Sequence, residues 1–153
     1  MNVATAQLHH IARLTALRAP VYDSPATTII SDSLTGTCFT SDCFGAPLAS
    51  PDLMAVDDIA AIPTDDLLAG QRLWVTVDSP WVAGVNRSRF HASLEPLRQL
   101  DPPLVLSTHL PPARGAIARL LDMLAAAPDC ETFVGPDQAA LEQMLAQMEP
   151  VPS

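Results

Sequence analysis

Residues 27–42, TTIISDSLTGTCFTSD, decide how this chain is read. Two β-branched and aromatic runs, Thr27 to Ser31 and Thr37 to Ser41, flank the turn-rich DSLTG with Gly36 at its close, which predicts a β-hairpin. The second run delivers Asp42 into a loop. A later run has the same design: LVLS at 104–107, bounded by prolines, predicts a strand buried on both faces, and it leads through Thr108 to His109. Upstream, Leu14 to Arg18 reads as a further short strand, ended by the Ala19-Pro20 step.

Helical spacing fills most of the rest. After the hairpin, DCFGAPLASPD (42–52) is a glycine- and proline-marked loop, long enough to predict a role beyond connection. Thr64-Asp65-Asp66 predicts a helix cap and an acidic first turn. Leu67, Trp74, Trp81 and Val85 then recur at roughly helical spacing, with Pro80 required to kink or break the run. Arg87 to Gln99 predicts a helix burying Phe90, Leu94 and Leu97, with Pro96 counting against its last turn and His91 near the surface. Ile117, Leu120, Leu121 and Leu124 follow an i, i+3, i+4, i+7 stripe, as do Leu141, Met144, Leu145 and Met148. Pro136 suits the first turn of that last helix. Strands alternating with helices, without repeat or linker, predict one α/β domain over residues 1–153.

Composition bounds the function. Apolar residues make up 48% of 153 residues, enough for a core, and 15 prolines against 6 glycines exclude a coiled coil. Net charge is -9, and all eight basic residues are arginines, a balance that argues against nucleic acid and anionic membrane surfaces. No apolar run approaches the roughly 20 residues of a membrane span, and the N-terminus lacks the pattern of a secretory signal. Three cysteines, Cys38, Cys43 and Cys130, predict reduced thiols and a cytoplasmic protein rather than a disulfide framework.

Asp42 and His109 are the candidate functional residues. Each follows an apolar strand and a small polar residue, so a rigid strand would aim the side chain while the loop leaves room for a ligand. Carboxylate and imidazole are donors that iron, manganese and zinc accept. The residues alone leave alternatives open: Asp42 as a turn-forming carboxylate, and His109 as a loop histidine bonded locally near Pro111 and Pro112. Cys38 reads as core. Trp74 and Trp81 read as core too. The Asp57-Asp58 and Asp65-Asp66 pairs read as solvated or helix-start carboxylates. Ser41 and Ser107 lack the glycine-rich elbow of a hydrolase nucleophile.

The order APVYDSPATT (19–28), FTSDCFGA (39–46), SPW (79–81) and LVLSTHLPPARG (104–115), followed by two helices, resembles the second half of a metallo-β-lactamase-fold protein of the flavodiiron, oxygen-binding di-iron branch. The resemblance spans roughly residues 14 to 148. It implies an α/β fold: the C-terminal half of an αββα sandwich, a mixed sheet with helices packed on one face. It also implies that Asp42 is the carboxylate bridging two metal ions, with Phe44 and Gly45 matching the residues after it, and that His109 is the final terminal ligand. Asp23, in YDSP, stands where the family usually has a histidine. It is a third metal-ligand candidate, with an Asx-turn as its alternative. Ser107 or Thr108 would support His109, and Trp81 would wall the metal pocket.

Departures from the family pattern bear on function. The histidine-rich run H-x-[HE]-x-D-H that carries most of the family's ligands is absent, and the adjacent pair His9-His10 does not have its spacing. A catalytic ion needs about three protein ligands and an open position. The implied di-iron or zinc cofactor is therefore incomplete in this chain, and with it the implied chemistry: an oxidoreductase acting on oxygen or nitric oxide, or a metal-assisted hydrolase, on a small-molecule substrate. Half a sandwich also exposes a sheet face. The expected partner is a second copy of the chain or a missing N-terminal half-domain, with a metal-free binding module as the alternative function.

Overall fold

The computed structural model describes residues 13–147. A five-stranded mixed sheet runs in sequence order: β1 (Leu14–Arg18), β2 (Thr28–Asp32), β3 (Thr37–Phe39), β4 (Leu104–Ser107) and β5 (Leu110–Arg114). Strands β1, β2 and β3 pair antiparallel, β3 and β4 pair parallel, and β5 returns antiparallel to β4. The protein is therefore α/β. Among the described residues no helix is long and apolar enough to cross a membrane.

The predicted hairpin forms. Asp32 accepts hydrogen bonds from the Leu34 amide and the Thr35 hydroxyl, both at 2.8 Å, and these hold its carboxyl below the usual carboxylate range. Gly36 adopts φ +72°, and a Cβ there would approach Pro103 to 2.8 Å, so the turn requires glycine twice over. A parallel β3–β4 pair cannot be joined by a tight turn. The crossover carries α1 (Pro51–Met54), α2 (Thr64–Asp78) and α3 (Arg87–Leu100), and α4 (Ile117–Ala125) and α5 (Gln138–Gln147) follow β5.

Strand alternation separates two faces of the sheet. Ser31, Cys38, Val105 and Ala113 are cross-strand neighbours and all buried. Cys38, Val105 and Ala113 share one core with Leu67 and Val75 of α2, with Phe90, Leu94 and Leu97 of α3, and with the α4 stripe Ile117, Leu120, Leu121 and Leu124. On the opposite face, Ala16, Ile30, Phe39 and Leu106 align across β1 to β4 and are only partly covered; Phe39 is 47% exposed.

Several sequence expectations need correction. The α2 cap position is Pro63, with no side-chain bond, and Thr64 Oγ1 instead accepts from Arg119. Helix α2 ends at Asp78, and Pro80–Gly84 is a 3-10 segment, so the break at Pro80 occurs as expected. Helix α3, capped by Asn86, runs through Pro96 to Leu100. Pro96 and Ala92 both lie on its exposed side, where water can satisfy the carbonyl that proline leaves without a donor, while Leu97 anchors the last turn in the core. Strand β4 is buried on one face only: Val105 is covered, but Leu104 and Leu106 are half-exposed. Helix α5 forms, yet Leu141, Met144 and Leu145 are 40–58% exposed. Its cap is Asp137, whose carboxylate accepts from the Ala140 amide, so Pro136 precedes the helix. His9, His10 and Met148 lie outside the described residues.

Candidate functional site

Parallel pairing of β3 and β4 sends both chain exits out of the same sheet edge. The Thr40 amide continues the ladder to Leu106 O at 2.9 Å, and Ser41 then turns the chain with φ +49°. Ser41 O accepts from Ser107 Oγ at 2.8 Å and from the Thr108 amide at 3.0 Å. Further along, the Ala46 amide donates to His109 O at 3.1 Å. The two loops are thus stitched to each other through backbone on both sides of the residues they present.

Between those stitches, Asp42 Oδ1 lies 3.4 Å from His109 Nε2, with the side chains 25% and 49% exposed. The two residues singled out from sequence therefore meet. Trp74 of α2 holds them. Its indole Nε1 donates to Asp42 O at 2.8 Å, and its ring packs against the His109 imidazole at 4.6 Å between centroids. This packing explains Gly45, where a Cβ would come within 2.4 Å of the Trp74 ring. A cavity of about 500 Å³ opens on the other side, walled by Pro47, Leu48, Met54, Trp74 and His109.

Asp78 lies one helical turn beyond Trp74 and was not a sequence candidate. Burial raises its pKa above the usual carboxylate range. A hydrogen bond from the Ser79 hydroxyl opposes the shift, the charges of Asp23 and Asp42 add to it, and His109 offsets it. Asp23, Asp42 and His109 therefore each lie close enough to Asp78 for their charges to act on it. Asp23 is exposed. The turn there is an ST-turn of Ser24, whose Oγ accepts from the Ala26 amide and whose carbonyl accepts from the Thr27 amide, rather than the alternative Asx-turn of Asp23, while the Thr27 hydroxyl reaches Asp23 at 3.5 Å.

Neither tryptophan belongs to the core. Trp74, rather than Trp81, walls the Asp42–His109 pair, while Trp81 donates to Tyr22 O at 2.9 Å and stacks on the Tyr22 ring elsewhere. Ser107 and Thr108 fasten Ser41 instead of supporting the imidazole. Cys38 is core as expected, and Cys43 in the turn is buried too. Burial pushes their thiols up to about 11 and about 12. Strand β3 stops at Phe39, two residues short of the run expected to reach Ser41.

The sequence signal for Trp74 is Gly45, since a glycine after Asp-Cys-Phe leaves room for a large ring. Asp78 had no such signal beyond its i+4 spacing from Trp74.

The donor types suit iron, manganese or zinc, but two donors form only one edge of a coordination sphere. Among the described residues, no group of three His, Cys, Asp or Glu side chains is placed to hold an ion. These residues do not fit a complete di-iron or zinc centre. No protein-family model, curated protein or solved structure matches the chain.

Proposed function

We propose that this chain is the C-terminal half of a metallo-β-lactamase-type sandwich of the flavodiiron-like branch. In this reading it retains two donors of a metal site, Asp42 and His109, with Asp23 in the same neighbourhood, and the centre is incomplete in the isolated chain. The observation that carries it is the 3.4 Å approach of Asp42 to His109 from the ends of adjacent parallel strands. A carboxylate and an imidazole brought together by two strand ends, with one tryptophan fastening both, is the arrangement that a retained pair of donors would have. Oxidoreductase chemistry on oxygen or nitric oxide, or metal-assisted hydrolysis, belongs to a site whose remaining ligands another segment or chain supplies. Three free cysteines accord with a reducing, cytoplasmic setting.

Metal analysis tests this reading. Purified chain should carry well under one iron, zinc or manganese ion. Its weak zinc affinity in calorimetric titration should fall further in both Asp42→Ala and His109→Ala. Zinc binding indifferent to both substitutions would remove the metal-site reading.

A second reading, a metal-free module that uses the half-fold for association, is favoured by the partly bare row Ala16, Ile30, Phe39 and Leu106 on the open sheet face. Its expected partner is another copy or an N-terminal half-domain, because an apolar sheet face is stable when another layer covers it.

A further inference from the structure

A second concavity, of about 540 Å³, lies between β1 and α3, away from the Asp42–His109 pair. Its floor is apolar: Leu17, Tyr22, Trp81, Val85 and Phe90 line it. The α3 positions that face it, from Asn86 through Arg89, Phe90 and Ser93 to Pro96, form one stripe about 15 Å long at 1.5 Å per residue. Volume and shape suit a small elongated ligand.

Charge selects the ligand's other end. In a chain of net charge -9, no aspartate or glutamate lines this groove, whereas two of the eight arginines, Arg18 and Arg89, do. Neither has an acidic partner within ion-pair distance among the described residues, unlike Arg87, Arg98 and Arg114. Arg18 is held at the rim, donating to the Tyr22 hydroxyl at 3.2 Å and lying 5.8 Å from the centroid of that ring. Arg89 stands in the first turn of α3, where the positive end of the helix dipole adds to its charge. An apolar trough with two uncompensated guanidinium groups and no carboxylate is complementary to an amphipathic anion.

We propose that the groove between β1 and α3 binds a medium-chain aliphatic carboxylate, its head group at Arg18 and Arg89 and its chain along the Phe90–Ser93–Pro96 stripe over Tyr22 and Trp81. The site is separate from the Asp42–His109 pair and stands whether or not that pair ligates a metal.

The test uses the full chain and sodium decanoate below its micelle concentration, followed by proton–nitrogen NMR. The two tryptophans give two indole signals, and the one lost in Trp81→Phe belongs to the groove. Expected is a saturable shift of the Trp81 indole with Trp74 unmoved. Affinity should weaken at least about tenfold in Arg18→Gln/Arg89→Gln, since a hydrogen bond to a charged group contributes that much. It should be unchanged in Arg72→Gln, an arginine of a different groove. On the unaltered chain, decanol should bind no better than decanoate does to the double variant. Absence of a saturable shift, equal affinity for decanoate and decanol, or equal weakening by Arg72→Gln would each overturn the proposal.

Discussion

Asp78 occupies the position where burial and charge work against ionisation. Its folded pKa is raised above the usual aspartate range, first by burial, with the Ser79 hydrogen bond opposing and the charges of Asp23 and Asp42 adding. A raised carboxyl pKa means the folded state holds the proton more tightly than the unfolded chain. That contribution is complete below the unfolded value and is lost as pH rises through the folded one, so at neutral pH the ionised side chain opposes folding. Asp78→Asn keeps an acceptor for Ser79 and removes the charge. Its Tm should exceed that of the parent at pH 7 and match it at pH 3, whereas a lower Tm at pH 7 would show that the carboxylate holds the local structure. The cysteines follow the same logic: burial keeps Cys38 and Cys43 as thiols, while Cys130 is half-buried. Iodoacetamide at pH 8 should label Cys130 alone in the native protein and all three under denaturant; native labelling of Cys43 would contradict its burial. Asp42 and His109 were legible because each follows an apolar strand and a small polar residue. Trp74 and Asp78 were not, since their importance arises only when α2 docks against the Asp42 loop.

At the scale of elements, local rules named the pieces well and their burial less well. Gly36 closes the hairpin, Pro80 ends α2, and Ile117–Leu124 puts its apolar residues on one helix face, because each depends on interactions within a few residues. Pro96 shows a local rule overridden: the core contacts of Leu94 and Leu97 carry α3 across a missing hydrogen bond. Pro96→Ala restores that bond and should stabilise the protein by about 1–3 kcal/mol in urea unfolding, the range set by the cost of proline inside a helix. A loss of stability instead would mean that the ring's packing outweighs the restored bond. Helix α5 shows the converse. Its stripe satisfies helical spacing, yet none of its described residues is buried, since periodicity specifies a face and not what covers that face.

Over the whole molecule, one sheet face carries the core and the other keeps an apolar row in partial contact with water. Ala16, Ile30, Phe39 and Leu106 belong to different strands and come into line only through the pairing register. Such a row predicts association, and Phe39, at 47% exposure, is its most accessible large side chain. Sedimentation should show concentration-dependent assembly of the chain, reduced in Phe39→Asp with the fold retained. A well-folded monomer at high concentration would count against the face as an interface. The sequence by itself determined the α/β class, the hairpin, the helix faces and the two donors worth watching, because turn chemistry and side-chain periodicity act between near neighbours in the chain. Only the tertiary structure decided that Asp42 meets His109, that Trp74 rather than Trp81 fastens them, and that Asp78 joins their field. Those facts depend on the parallel pairing of β3 with β4 across the helical crossover, which leaves no local trace, and on how α2 seats against Gly45, where the glycine marks a close approach without saying which side chain makes it.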